Sequence, residues 1–314
     1  MLSRVAENLY WIARYVERAE NTARLISVTN NLMLDLPRGV KPGWQPLIEI
    51  LGAEGSFDAN DGDERAAIRF LIGDLANTGS ILSSLGNARG NARTVRDFLP
   101  REAWEQINDL YLKTRLDLQR GLSQRHRYDY LRSIIIGAQS ITGLLAGTMT
   151  HDNGYDFIRM GRNLERGDMT TRIIDVRSAN LLPEQTTDLT PFENIQWMSV
   201  LKSMSAYQMY RRELQVRVRR ADVLRFLFQH PHFPRAFYHC VGEVEQCLAN
   251  LPRNDAPLRV VAHLKRIVTE ASPESLSQDE LHAFIDDLQL GMIDLNEQIN
   301  QTYFRPPEPV VGDP

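Results

Sequence analysis

At 314 residues the chain is long enough for one large domain or two of ordinary size. With 43% hydrophobic and 24% charged residues, its composition is globular rather than disordered. A formal net charge of −4 argues against wholesale binding to a nucleic-acid backbone, which needs a basic domain or stripe.

Helical signals begin at once. Ser3 suits the N-cap of a helix that runs without Pro or Gly to Leu36, where Pro37, Gly39, Pro42 and Gly43 end it. Leu9, Ile12, Tyr15, Val16, Ala19, Ala23, Ile26 and Leu32 recur along it at three- and four-residue intervals. Phe57 to Asp63 reads as a loop rich in turn formers, followed by a helix from Glu64 to Leu71 and another beginning near Thr78. Pro100 sits at a helix start, ahead of the apolar face Trp104, Ile107, Leu110 and Tyr111. The same periodicity predicts helices at about 125–149, 154–181, 192–212, 220–229, 234–250, 257–271 and 277–302.

No run alternates apolar and polar residues between turns, so strands are not expected. The most apolar stretch, Ile134 to Met149, is shorter than a membrane span, and no membrane partner is expected. Its Gly143 and Gly147 suggest a close helix–helix contact instead. Arg305 to Pro314 is too proline-rich to pack. Cys240 and Cys247 lie on one expected helix, roughly 10 Å apart along its axis, too far for a disulfide. With no secretory segment at Met1 to Arg4, a cytoplasmic, reducing location is expected.

All but four of the 36 basic residues are arginines. Arginine offers a planar fork that grips a carboxylate or phosphate with two hydrogen bonds, although coding bias is the plainer account of such a preference.

The most informative feature is an internal match between Ile12–Val28 and Met160–Val176. It aligns Arg14 with Arg162, Glu17 with Glu165, Arg18 with Arg166, Thr22 with Thr170 and Arg24 with Arg172, and sets Glu20 against Asp168. A weaker echo joins Phe98-Leu99-Pro100-Arg101 to His232-Phe233-Pro234-Arg235. Together they suggest an all-α multi-helix bundle of two related halves, 1–150 and 151–302, around a pseudo-twofold, with 303–314 a mobile tail.

At 100° per residue, Arg14, Glu17, Glu20 and Arg24 share a helix sector of about 120°, as do Arg162, Glu165, Asp168 and Arg172. Glu20 before Arg24 and Asp168 before Arg172 have the favoured i,i+4 order. If the two faces meet, four carboxylates and four guanidiniums converge. Such a cluster is either a buried salt-bridge network that fixes how the helices pair or a charged binding pocket. A dinuclear metal centre needs Glu-x-x-His, which neither Glu17 nor Glu165 begins, so no metal and no cofactor are expected.

Other candidates are weaker. His230, His232, His239 and Cys240 resemble a ligand set only loosely, and Arg211, Arg212, Arg217, Arg219 and Arg220 suit an acidic surface or a solvated face alike. Asn91, Arg93 and Arg96 would add polar groups to a central site. The chain has no phosphate-binding GxxxxGK[ST] loop, no GxSxG and no Cys-x-x-Cys, so no catalytic residue is assigned.

The opening Met1-Leu2-Ser3-Arg4-Val5-Ala6-Glu7-Asn8-Leu9-Tyr10-Trp11, continued by Arg14-Tyr15-Val16-Glu17-Arg18-Ala19-Glu20-Asn21-Thr22-Ala23-Arg24, closely resembles the bacterial alpha-E family. The resemblance continues through Asn91-Ala92-Arg93, Trp104, Phe157 to Arg172, Phe233-Pro234-Arg235 and Tyr303-Phe304, with Met169 departing from Asn21. It implies an all-helical protein encoded beside, or fused to, a circularly permuted ATP-grasp ligase. A transglutaminase-like peptidase and a proteasome-like peptidase are implied as further partners. The function to expect is thus an accessory or substrate-binding component of an ATP-grasp-dependent peptide or amide ligation system. A stand-alone carboxylate enzyme acting on amide bonds and a non-catalytic scaffold remain the alternatives.

Overall fold

The computed structural model describes residues 2–35, 43–57, 64–179, 190–214 and 217–305. The turn formers Pro37 to Pro42, most of the loop after Phe57 and the tail from 306 onward lie outside them. Among the described residues every regular element is helical.

The first long helix, α1 (Ser3–Asp35), is followed by α2 (Gln45–Ile50), α3 (Glu64–Gly73), α4 (Ile81–Thr94), α5 (Arg101–Leu116), α6 (Leu118–Leu122) and α7 (Gln124–Thr148). The second series is α8 (Asn153–Ala179), α9 (Thr190–Ser203), α10 (Tyr207–Leu214), α11 (Arg220–Gln229), α12 (Phe237–Ala249), α13 (Asp255–Glu270) and α14 (Gln278–Ile299). One turn of π-helix, Asn300–Phe304, closes the described chain.

The two helices that carry the matching sequences, α1 and α8, form the centre and are each other's most extensive partner. Around α1 pack α4, α7 and α9; around α8 pack α12, α14 and α2. Burial is extensive in the middle of α1, where Leu9, Tyr10, Ile12, Leu25 and Ile26 are excluded from solvent. Local signals start several elements: Ser80 accepts from the Ser83 N–H at the head of α4, and Ser277 and Glu280 form a capping box at α14.

The sequence periodicity misplaces three features. The expected helix 192–212 is two, α9 and α10, because the chain turns at Ser205, whose φ is 52°. There the Ala206 N–H donates to the Leu201 carbonyl at 2.7 Å and closes α9. Gly143 and Gly147 face open space, where an added Cβ meets nothing. Within the same apolar stretch it is Gly137 that packs closely, on Leu110, and the tightest approach to backbone lies at Gly161, whose Cβ would stand 2.2 Å from the Tyr10 carbonyl oxygen. Finally, of the segment 303–314 expected to be a mobile tail, Tyr303 and Phe304 are buried. Phe304 packs on Tyr10 and Phe157, and Tyr303 on Phe157.

These glycines give a direct test. Gly161→Ala must push α1 from α8 and is expected to cost about 3 kcal/mol or more. Gly143→Ala, on an open helix face, should gain about 0.5–1 kcal/mol. Urea unfolding of both variants measures the difference; equal effects would show that the α1–α8 approach is not this tight.

Candidate functional site

Where α1 crosses α8, each helix offers a glutamate to the arginines of the other. Glu165 receives Arg18 in a two-pronged grip, Nε to Oε1 at 2.5 Å and Nη2 to Oε2 at 2.9 Å. Glu17 receives Arg166 in the same manner, Nε to Oε1 at 2.9 Å and Nη2 to Oε2 at 2.7 Å. Both carboxylates are 2% exposed, so these grips replace water entirely.

The remaining candidates join them unequally. Arg14 adds its Nε to Glu165 at 2.8 Å and its Nη1 to Asn296 of α14, also at 2.8 Å. Its sequence counterpart, Arg162, has a buried Nε with no hydrogen-bond partner among the described residues. The cavity beside it is about 10 Å³, room for a single water at most. Glu20 pairs with Arg24 at 2.6 Å, and Arg24 donates on to Ser205 Oγ at 2.6 Å. Arg235, from the turn ahead of α12, bridges Glu17 and Glu20 at 2.9 Å each and reaches Asn21 at 2.7 Å.

Asp168 and Arg172 pair at 2.9 Å, yet their side chains are 19% and 29% exposed, against 3% for Glu20 and 10% for Arg24. They border a cavity of about 340 Å³, together with Arg18, Glu165 and Met169, the turn Leu51–Ala53 and the turn Ala76–Gly79. The structure thus brings seven of the eight sequence candidates into ion pairs at the α1–α8 contact, and leaves Arg162 beside Glu17.

The electrostatics favour holding charge over moving protons. Burial alone would raise Glu165, but Arg18 and Arg14 outweigh it and hold the carboxyl at about 2. Burial is likewise outweighed at Glu17 by Arg166 and Arg235, again to about 2. A general acid or base works best with a pKa near the operating pH, and neither glutamate is near it. Burial pushes the Cys240 thiol up to about 12, which removes it as a nucleophile.

The weaker candidates stand elsewhere. His230 contacts Glu213 at 2.6 Å and accepts the Phe233 N–H at 2.8 Å, while His239 meets the Pro231 carbonyl at 2.9 Å. They shape the turn before α12. Arg93 and Arg96 are exposed at the end of α4 remote from the cavity. Arg211 lies over the Tyr207 ring.

Arg18, Arg166, Arg235, Ser205 and Asn296 were not among the sequence-derived site residues. The first two were identical in the internal match but fell outside the chosen sector. The echo between Phe98–Arg101 and His232–Arg235 has no structural counterpart: Arg101 pairs with Glu105 on the surface, while Arg235 is buried.

Residues 1–304 match the model of a family named Alpha-E, described as a predicted alpha-helical domain with a conserved ER motif. Glu17-Arg18 and Glu165-Arg166 are Glu-Arg pairs of this chain at the α1–α8 contact. An uncharacterized protein of Mycobacterium bovis and one of Mycobacterium tuberculosis are each 24% identical over 92% of this chain. The chain spans about a third, 35%, of the length of these relatives. No solved structure matches it significantly.

The buried carboxylates make a pH-dependent prediction. Their folded pKa values, about 2, lie below the ordinary 4.5, so their contribution is complete above pH 4.5 and is lost as pH falls toward 2. Glu165→Gln leaves Arg14 and Arg18 without their anion and is expected to cost about 3–5 kcal/mol at neutral pH. The deficit relative to wild type should shrink as the pH is lowered from 4.5 toward 2. Urea unfolding across that range checks it; a deficit independent of pH would sink the assignment.

Proposed function

Since the chain belongs to the Alpha-E family, we propose that it is the accessory or substrate-binding component of an ATP-grasp-dependent peptide or amide ligation system. It holds a charged peptide end in the cavity beside Glu165 and Asp168, and its partner is a circularly permuted ATP-grasp ligase. One observation carries the reading: a cavity of about 340 Å³ opens onto Arg18, Asp168 and Arg172, the part-exposed edge of an otherwise buried charge network. Its size is in the range of small-ligand sites, about 300–1,000 Å³. The fixed charges on its wall suit recognition of carboxylate by arginine or of a cation by carboxylate.

Binding is favoured over catalysis because Glu17 and Glu165 are held ionised far below neutral pH. The greater length of the mycobacterial relatives fits a module that works as part of a larger apparatus.

Affinity purification of the tagged chain from its native host is expected to recover an ATP-grasp ligase in near-equal amount. Asp168→Asn/Arg172→Gln spares the buried glutamates; it should unfold within a few degrees of wild type, yet bind short peptides at least about tenfold more weakly. A chain that elutes alone, with unchanged peptide affinity in the double variant, would falsify this reading.

A further inference from the structure

The surroundings of the two carboxylate pairs correspond turn by turn. Ahead of α4, the Ser80 N–H donates to the Asn77 carbonyl at 3.0 Å; ahead of α12, the Ala236 N–H donates to the Phe233 carbonyl at 2.9 Å. The following helices begin one residue later in each case, at Ile81 and Phe237, and the preceding helices, α3 and α11, are both ten residues long. After α2, Gly52 has φ 63° and the Ala53 N–H donates to the Ile48 carbonyl. After α9, Ser205 has φ 52° and the Ala206 N–H donates to the Leu201 carbonyl.

By this correspondence Arg235 falls on Gly79, and Ser205 falls on Gly52. Around Glu17 and Glu20, the arginine bridges the two carboxylates and the serine hydroxyl receives Arg24. Around Glu165 and Asp168, both positions are glycine and both line the cavity. A Cβ on Gly79 would meet only Asn77 Oδ1, at 3.3 Å, and a Cβ on Gly52 would approach Arg172 Nη1, at 3.2 Å. Glu17 takes its third N–H at Oε1, from Arg235, whereas Glu165 takes its third at Oε2, from Arg14, so that among the described residues its Oε1 accepts from Arg18 alone.

We propose that this cavity is the counterpart of the space filled by Arg235, and that it takes the guanidinium of a ligand between Glu165 and Asp168. The inference rests on the binding reading above and names the chemistry that the site selects. A planar fork spans two carboxylates with separate N–H groups, as Arg235 does, which a lysine ammonium matches poorly. Arg18 and Arg172 face the same cavity, but each is held by its own carboxylate, as Arg166 and Arg24 are around Arg235. Asp168 is one methylene shorter than Glu20, which widens the seat. Met169 stands where Asn21 accepts from Arg235, and offers an apolar flank for the ligand's aliphatic stem. The source is either a free small guanidinium compound or an arginine side chain of a peptide.

Titration calorimetry of the full chain against agmatine, an arginine-containing hexapeptide, its lysine counterpart and inorganic phosphate tests the assignment. At least one guanidinium probe is expected to bind at least about tenfold tighter than the lysine peptide. Preference for agmatine identifies a free molecule as the source, and preference for the hexapeptide identifies a side chain. Gly79→Arg supplies the guanidinium from the chain itself and should abolish binding, while Gly79→Ala should retain it. If Gly79→Arg does not fold, Asp168→Asn serves instead, with guanidinium affinity reduced at least about tenfold. Phosphate bound in place of guanidinium overturns the cation assignment and leaves the charged-end reading standing. Silence from every probe overturns the assignment too, and the broader reading is then decided by partner capture.

Discussion

The closeness of α1 to α8 is the constraint from which the rest follows. Only a hydrogen fits between Gly161 and the Tyr10 carbonyl. Helices packed at that distance exclude water from the residues beside the contact, and among those residues are Glu17 and Glu165. A carboxylate in such a place must be met by fixed donors, because an unpaired buried charge costs several kcal/mol. The arginines of the opposite helix meet it. Sliding α8 by one turn would break both two-pronged Glu–Arg grips, so the ion pairs define the register that the small residue permits. Further elements are tied to the same centre: α12 through Arg235, and α14 through Asn296.

The requirement for arginine is specific at these positions whatever sets the overall composition. Each glutamate accepts two parallel N–H groups from one guanidinium and a further N–H from a second. A lysine could fill only part of that pattern, leaving a lone pair dry. These donors hold both carboxyls ionised, which makes the network a poor proton relay and a good rigid wall. Rigidity is what a binding surface needs from its supports.

The two carboxylate pairs differ in how they are finished. Around Glu20 the shell closes with Arg235 and with Ser205, a serine held at positive φ, a conformation that side chains rarely adopt without a return in hydrogen bonding. Around Asp168 two glycines and a shorter carboxylate leave a cavity. One motif thus serves as an internal lock at one place and as the wall of a pocket at the other.

Most of the long helices, the matching pair α1 and α8 among them, and the Glu20–Arg24 and Asp168–Arg172 pairs were legible in the sequence, because helical periodicity and i,i+4 spacing are local properties; the short α2 and α6 and the break between α9 and α10 were not. The all-helical class followed from the same signal. What tertiary structure decided was every choice between partners distant along the chain. The reach of Arg235 to Glu17 spans more than 200 positions and depends on a turn whose path no residue pattern announced. Gly143 and Gly147 stood in an apolar run and pointed to solvent, while Gly161, in an ordinary-looking motif, carried the contact. A glycine's role is set by what lies opposite it, and only the packed fold states that. The same reason applies to Asp168: its sequence equivalence to Glu20 is plain, but whether an ion pair is a lock or a cavity wall depends on the side chains that other helices do or do not bring to it.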